Sequence, residues 1–260
     1  MTARWIGTSW KMNLTLAEAV DYADTLGRTL RERPELTAEV QPFIIPPATA
    51  LAAVHQAFGE RGQRPGGIKL GVQNAHWEDS GAWTGEISVP QAVDAGADLV
   101  EIGHSERREF FNETIRTTRL KVLAAIRHGA RPLLCVGEPQ EVRERGQAAE
   151  YILSQANGAL DGLNPEQLNS VLIAYEPIWA IGASGRPASA AELREPFDAL
   201  RERFRGRVGS LLYGGSVNRH NAGELLATDA IDGLFVGRAA WSAEGYTELL
   251  ELASFRFPGR

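Results

Sequence analysis

The sequence predicts a single-domain α/β protein folded as a closed (β/α)₈ barrel, on three observations. Eight short apolar runs recur along the 260 residues, and longer segments with helical spacing separate them. The runs are apolar on both faces, as expected for parallel strands that are covered by helices. Each strand with its helix takes about 32 residues, which is the size of one unit in a barrel of about 250 residues.

Each predicted strand is an apolar run between turn or helix signals. In chain order, the runs are residues 5–9, 42–45, 68–73, 98–102, 132–136, 171–176, 209–213 and 233–236. The alternative for such a pattern is an open doubly wound sheet, which usually has five or six strands and often a glycine-rich turn after the first. The first turn here reads GTSWK at residues 7–11 and lacks that fingerprint.

The segments between the strands have the spacing of amphipathic helices. The first carries an apolar stripe of Leu16, Val20, Ala23, Leu26 and Leu30. Thr15 with Glu18, and Ser189 with Glu192, form capping boxes at the starts of two helices. No linker, low-complexity tract or charge block divides the sequence, so residues 1–260 are expected to form one barrel domain.

Composition and charge restrict the classes of partner and ligand. The formal net charge of −6 is unlike the basic surface of most nucleic-acid-binding domains. No apolar run approaches the roughly 18 residues of a membrane span, and the first residues lack a signal-peptide pattern. The single cysteine, Cys135, excludes an intramolecular disulfide and a cysteine metal cluster. We therefore expect a cytoplasmic protein without a nucleic-acid partner, membrane partner or metal site.

Reactive side chains and glycine-bearing loops follow several of the predicted strands. In such barrels the chemistry lies at the carboxyl ends of the strands. Lys11 follows the first strand, His104 the fourth and Glu176 the sixth, while glycine-bearing loops follow the seventh and eighth at residues 214–217 and 237–238. Taken singly, these features are ordinary: a solvated lysine, a structural histidine, a strand cap and two turns.

Together, these groups predict proton abstraction next to a carbonyl without a metal or a cofactor. Glu176 ends an apolar strand, where partial desolvation raises the basicity of a carboxylate. His104 is a hydrogen-bonding or proton-transfer group, Lys11 is a fixed positive charge, and the glycine loops can bind a phosphate. The segment after Glu176 has the length and glycine content of a lid. The predicted lid consists of Pro177, Ile178, Trp179, Ala180, Ile181, Gly182, Ala183, Ser184, Gly185 and Arg186.

These motifs resemble those of the triosephosphate isomerase family from residue 7 to about residue 241. The matching segments are WKMN at 10–13, GHSERR at 103–108, AYEP at 174–177, WAIG at 179–182 and YGGSV at 213–217. The resemblance implies a TIM barrel and a cofactor-independent aldose–ketose isomerase. Its expected reaction interconverts glyceraldehyde 3-phosphate and dihydroxyacetone phosphate through an enediolate, as in glycolysis and gluconeogenesis.

The resemblance also implies roles for individual residues. Glu176 removes the proton next to the carbonyl, neutral His104 polarises the carbonyl and shuttles protons, and Lys11 offsets negative charge. Glu106 supports the site from behind. The implied phosphate ligands are the backbone N–H groups of Gly182, Ser216 and Gly237.

Residues 73–86 resemble the loop that docks into a neighbouring subunit in this family. The resemblance therefore implies a homodimer in which Thr84, near the loop tip, helps to complete the site of the partner. The alternative is that the two tryptophans of the loop, Trp77 and Trp83, pack back onto their own barrel.

Three positions depart from the family pattern, and all are expected to touch the substrate or the lid. Ser9 stands where the family has asparagine, and the shorter serine side chain is expected to open space near the reacting carbons. The lid ends in GASGRP at residues 182–187, where the family has glycine-threonine-glycine-lysine. Arg238 follows Gly237 in place of a second glycine, and it either adds a donor near the phosphate or an extra hydroxyl, or points to solvent.

The same variations resemble a branch that acts on four-carbon ketose phosphates in erythritol breakdown. The sequence therefore leaves open whether the substrate is a triose phosphate or an L-erythrulose (tetrulose) phosphate. A third alternative, motivated by the altered lid, is a barrel that binds a sugar phosphate without turning it over. The intact set of Lys11, His104 and Glu176 argues against that alternative.

Overall fold

The computed structural model describes residues 3–182 and 185–254. Eight parallel strands form a closed barrel in chain order, and the first strand pairs with the last. The strands are β1 Arg4–Ser9, β2 Val40–Ile45, β3 Lys69–Val72, β4 Leu99–Ile102, β5 Arg131–Val136, β6 Leu172–Tyr175, β7 Ser210–Tyr213 and β8 Gly233–Val236. The predicted single-domain barrel is confirmed, and every predicted strand is present to within two residues at each end.

Helices cover the outside of the barrel. They are α1 Leu16–Glu32, α2 Ala48–Phe58, α3 Val89–Asp94, α4 Ser105–Phe110, α5 Ile115–Arg127, α6 Gln140–Glu144, α7 Ala148–Leu160, α8 Pro165–Ser170, α9 Ala190–Phe204, α10 Ala222–Ala227 and α11 Ala243–Ser254. At the start of α9, the Glu192 carboxylate accepts a hydrogen bond from the Ser189 backbone N–H at 2.9 Å, as the capping box predicts. Within the described ranges, no helix combines the length and the apolar character needed to cross a membrane.

The apolar stripe predicted for α1 is partly wrong. Leu16 is 55% exposed, whereas Ala19 and Tyr22 are buried with Leu26. The Tyr22 hydroxyl donates to the carbonyl of Ala240 at 2.9 Å, and this contact turns the neighbouring face of the helix toward the barrel. The predicted stripe included Leu16 and omitted Ala19 and Tyr22, which the fold buries instead.

Alternate residues of the strands point into the barrel and fill it. This inner core consists of Phe43, Ile45, Leu99, Leu133, Cys135, Leu172, Ala174, Leu212 and Phe235. Gly7 makes room for the Phe43 ring, because a Cβ at that position would lie 2.3 Å from it. Since the interior is filled with side chains, a ligand has space only above this core, at the carboxyl ends of the strands.

Candidate active site

A cleft of about 600 Å³ opens at the carboxyl ends of the strands. Its lining includes the predicted site residues Ser9, Lys11, His104, Glu106, Glu176, Gly182, Gly185, Ser216, Gly237 and Arg238. The fold therefore brings together every residue that the sequence assigned to catalysis or substrate binding. Thr84 is not part of this lining and lies exposed in the 73–86 loop. Two predicted lid residues, Ala183 and Ser184, lie outside the described residues.

Lys11 is held in place through both its backbone and its charge. Its φ of +53° lies in the left-handed region that residues with a side chain rarely adopt. The side-chain amide of Gln73 donates to the Lys11 carbonyl at 2.9 Å and stabilises this conformation. The Lys11 Nζ lies 2.6 Å from Glu106 Oε1, so the loop after β1 is tied to the start of α4.

His104 is the N-cap residue directly before α4, and its hydrogen bonding fixes its tautomer. Nδ1 accepts a hydrogen bond from the Glu106 backbone N–H at 3.2 Å, so the remaining ring proton is on Nε2. Nε2 lies 3.8 Å from Glu176 Oε2 across the cleft. Burial, and then the positive charge of Lys11, lower the pKa of His104 to about 4. The imidazole is therefore neutral at neutral pH and presents an N–H to the cleft.

Glu176 follows β6 directly and is 4% exposed. Burial, and then repulsion by the Glu101 carboxylate, raise its pKa to about 8, although the Lys11 charge opposes the shift. Glu176 Oε2 is buried and has no hydrogen-bond partner among the described residues. Gly214 makes room for the side chain, because a Cβ there would lie 2.6 Å from Glu176 Cγ. A buried carboxyl of this kind, at the wall of a cleft, is suited to exchange a proton with a ligand.

Glu101 is a buried carboxyl next to the cleft that the sequence reasoning missed. It lies in β4 two residues after Leu99, so both side chains point into the barrel. Glu101 is 3% exposed, and its Oε2 accepts a hydrogen bond from Ser9 Oγ at 2.8 Å. Burial raises its pKa to about 7. The signal that could have revealed it is a lone acidic residue within an apolar strand.

A buried charge cluster fixes the turn that carries His104, and the sequence reasoning missed it too. The Glu113 carboxylate accepts hydrogen bonds from the Gly103 N–H at 2.8 Å, from Arg107 Nε at 2.9 Å and from Lys121 Nζ at 2.8 Å. Gly103 has a φ of +74°, which a residue with a Cβ would adopt only with strain. The cluster therefore holds the backbone just before His104 in one conformation.

The loops expected to bind phosphate follow the neighbouring strands β7 and β8, and both contact the lid segment. Ser216 Oγ donates to the Ala180 carbonyl at 2.8 Å and so ties the loop after β7 to the lid segment. Arg238 is exposed, and its Nη2 lies 3.5 Å from the Gly182 carbonyl. Arg238 thus connects the loop after β8 to the lid at the solvent-facing rim of the cleft.

Trp179 anchors the lid segment through three side chains. Its Nε1 donates to Glu138 Oε1 at 2.8 Å. The guanidinium carbons of Arg143 and Arg186 lie 4.2 Å and 4.8 Å from the centroid of its ring. Both guanidinium groups also pair with Glu192 at 2.5 Å. Arg186, which lies in the altered part of the lid, therefore stabilises the position of Trp179.

The two tryptophans of the 73–86 loop lie in different environments. Trp77 is partly buried and packs against the apolar core between the barrel and its helices, whereas Trp83 is 48% exposed. Their ring centroids lie 4.1 Å and 4.3 Å, respectively, from the His76 ring. The alternative, in which both tryptophans pack back onto their own barrel, therefore holds for Trp77 but not for Trp83, and Trp83 and Thr84 are exposed.

The cleft combines a carboxyl of raised pKa, a neutral imidazole and an ammonium group. These are the elements of a proton transfer next to a carbonyl. In the part of the chain that the structure describes, no group of three or more His, Cys, Asp or Glu side chains is arranged to hold a metal ion.

Comparisons with known proteins agree with this geometry. Residues 4–253 match the family model described as triosephosphate isomerase. A protein of Mycolicibacterium smegmatis named L-erythrulose-1-phosphate isomerase is 58% identical over 250 residues, covering 96% of this chain and 93% of that protein. A protein of the same name from Mesorhizobium japonicum is 51% identical, covering 96% and 97%. The crystal structure of triosephosphate isomerase from Bartonella henselae matches with a TM-score of 0.81 and 33% identity, covering 96% of this chain and 98% of that one.

Proposed function

The chain belongs to the triosephosphate isomerase family, and we propose that it isomerises L-erythrulose 1-phosphate rather than a triose phosphate. It is an isomerase of the cofactor-independent type. The observation that carries the proposal is the contrast among its relatives. Those named L-erythrulose-1-phosphate isomerase are 58% and 51% identical to the chain, whereas the triosephosphate isomerase of known structure is 33% identical. The position of Ser9 in the cleft lining supports the same choice.

The chemistry of this substrate requires a shift of the carbonyl along the chain. L-Erythrulose 1-phosphate carries its phosphate on C1, its carbonyl on C2 and hydroxyl groups on C3 and C4. Because the C1 oxygen is esterified, the carbonyl moves to C3, and the product is another ketose, erythrulose 4-phosphate. The phosphate, the carbonyl and the carbon that loses its proton keep the relative positions they have in dihydroxyacetone phosphate. The added group is one CH₂OH beyond the reacting carbons.

The proposed mechanism assigns one proton-transfer role to each buried group. The Glu176 carboxylate removes the proton from C3 and returns it to C2. His104 donates a hydrogen bond from Nε2 to the C2 oxygen and moves the proton between the two enediolate oxygens. Lys11 stabilises the negative charge of the enediolate. The raised pKa of Glu176, to about 8, and the lowered pKa of His104, to about 4, support this division between a base and a neutral hydrogen-bond donor.

The part of the cleft formed by the lid segment and the loops after β7 and β8 is proposed to bind the phosphate. Backbone N–H groups of Gly182, Ser216 and Gly237 are its ligands, because amides of glycine-bearing loops can approach an anion closely. The lid segment excludes water from the enediolate. The contacts that tie this segment to Ser216 and Arg238 support its closing over the phosphate loops.

A comparison of two substrates tests the proposal. The measurement is kcat/KM of the purified protein for L-erythrulose 1-phosphate and for dihydroxyacetone phosphate under identical conditions. We expect a preference of about tenfold or more for the four-carbon substrate, since one extra group in a matching pocket has an effect of this size. Rapid turnover of the triose phosphate together with no turnover of the tetrulose phosphate would contradict the proposal. It would instead favour a triosephosphate isomerase that acts in glycolysis.

We also propose that the protein is a cytoplasmic homodimer that associates through the 73–86 loop. The exposed Thr84, the half-exposed Trp83 and Met12, which is 97% exposed, support this proposal. Light scattering at micromolar concentration is expected to give twice the 28.3-kDa mass of the chain. The variant Trp83→Glu is expected to lower the mass toward that of one chain. A wild-type monomer at that concentration would exclude the dimer.

A further inference from the structure

Ser9 and Glu101 form a hydrogen-bonded pair at the inner end of the cleft. Ser9 belongs to β1 and lines the cleft, while Glu101 belongs to β4 and lies behind it. The two side chains meet at 2.8 Å inside the barrel and are 5% and 3% exposed as residues. Glu101 is close enough to Glu176 for their charges to repel each other, so the pair lies next to the proposed base.

The pair fixes which kind of group Ser9 can bind. A serine hydroxyl has one proton to donate, and above its pKa of about 7 the Glu101 carboxylate is ionised and can only accept. Since the proton of Ser9 is directed to Glu101, Ser9 Oγ offers its remaining lone pairs to the cleft. The Trp241 indole N–H donates to the Ser9 carbonyl at 3.0 Å and fixes the backbone at this position. The inner end of the cleft therefore accepts hydrogen bonds from a ligand hydroxyl.

The proposed substrate has such a hydroxyl at the corresponding place. Its added CH₂OH group is attached to the reacting carbon that is farther from the phosphate. The proposed phosphate loops follow β7 and β8, and β4 lies across the closed barrel from β8. The Ser9 hydroxyl points from β1 toward β4, away from those loops. A four-carbon substrate bound by its phosphate thus extends its terminal hydroxyl toward the pair.

We propose that Ser9 and Glu101 recognise the terminal hydroxyl of a four-carbon ketose phosphate. That hydroxyl donates to Ser9 Oγ, and Glu101 is a positioning residue that holds the Ser9 proton and keeps Ser9 an acceptor. This inference rests on the proposed function and adds the residues that select the substrate. A triose phosphate has no group at this position and leaves the pair without a ligand partner.

The test combines two enzyme variants with a substrate that lacks the hydroxyl. kcat/KM is measured for L-erythrulose 1-phosphate, for its 4-deoxy analogue and for dihydroxyacetone phosphate, with the wild type, Ser9→Ala and Glu101→Gln. Removing the hydroxyl is expected to cost the wild type about 10- to 100-fold in kcat/KM, because buried acceptors lose their donor. The same removal is expected to cost Ser9→Ala less than about threefold, and Glu101→Gln an intermediate factor. A defect in folding would lower kcat/KM for all three substrates by the same factor and leave these ratios unchanged.

The outcomes separate this inference from the proposed function. If the wild type prefers dihydroxyacetone phosphate, the proposed function itself fails. If the wild type prefers the tetrulose phosphate but discriminates against the 4-deoxy analogue no less after Ser9→Ala, only the inference is overturned. Equal turnover of both four-carbon substrates by the wild type overturns it as well, without any variant. Glu202→Gln, which removes one exposed carboxylate from α9, is the matched control and is expected to leave every ratio unchanged.

Discussion

The inner end of the cleft and its rim are built in different ways. At the inner end, Glu101 and Glu176 are 3% and 4% exposed, and burial raises the pKa of both. At the rim, the exposed Arg186 stacks on Trp179 within the lid segment, and the exposed Arg238 contacts the Gly182 carbonyl. A unit charge interacts more strongly with its neighbours at the inner end than at the rim, because water screens exposed pairs and screens buried pairs much less.

This difference separates the reaction type from the choice of substrate. The proton-transfer groups match the family motifs at the inner end, whereas Arg186 of the altered lid and Arg238 lie at the rim. Ser9 is the exception, because it departs from the family pattern and yet lies among the buried groups. We therefore expect changes at Glu176 to affect turnover, changes at Ser9 to affect which substrate is used, and changes at the rim to have small effects.

The largest effect is expected for Glu176→Gln, which removes the proposed base and keeps the size of the side chain. We expect kcat for the preferred substrate to fall by about 10²- to 10⁴-fold, the usual contribution of a positioned general base. Steady-state kinetics, with substrate binding measured by calorimetry, distinguishes a lost chemical step from lost binding. If the wild type binds sugar phosphates and isomerises none of them, the barrel is a catalytically silent binding protein, as the altered lid first suggested.

The sequence predicted the barrel and the proton-transfer groups because their signals are local. Strand-to-helix alternation is repeated along the chain, and Lys11, His104 and Glu176 each follow a strand within a recognisable motif. Glu101 was missed because its importance depends on contact with Ser9, which is 92 positions away. Which way a strand residue points is decided by register, and a single acidic residue in an apolar strand does not reveal its partner.

The same limit explains the other residues that the sequence did not reveal. Glu113 lies between α4 and α5 and joins Gly103, just before α4, to Lys121 within α5. Neither contact has a sequence signature. Leu16 was expected in the buried stripe of α1 on hydrophobicity alone, but the close packing of Tyr22 decides which face is buried. Tertiary contacts thus determine both the supporting residues of the site and the orientation of the helix.

The pH dependence of kcat/KM tests whether the buried carboxyls act on each other. Glu176 has to be ionised to accept a proton, and its pKa is raised to about 8. kcat/KM is therefore expected to rise with pH through about 8 and to fall about tenfold per unit below it. In Glu101→Gln the repulsion is lost, so the pKa of Glu176 falls and this limb of the profile moves to lower pH. An unchanged limb would show that the two charges are independent, and Glu202→Gln is the control.

Ser9→Asn is expected to have a smaller effect, on preference rather than on turnover. Asparagine restores the residue typical of the family, occupies more space and offers an N–H₂ group in place of a lone pair. We expect the ratio of kcat/KM for L-erythrulose 1-phosphate to that for dihydroxyacetone phosphate to fall by about tenfold. The measurement uses both substrates with the same preparation, so the active fraction of enzyme cancels. A ratio equal to that of the wild type would count against a role of Ser9 in selecting the substrate.

The smallest effect is expected at the rim, for Arg186→Ala. The Arg186 side chain is 54% exposed, so water screens its ion pair with Glu192 and weakens its stacking on Trp179. Arg143 contacts the same ring and the same carboxylate, so Trp179 keeps a stacked cation after the substitution. We therefore expect kcat/KM to fall by no more than about fivefold for either substrate, with their ratio unchanged. Arg28→Ala on the exposed face of α1 is the control, and a loss of a hundredfold or more would mean that the rim contributes to the chemistry as directly as the inner end.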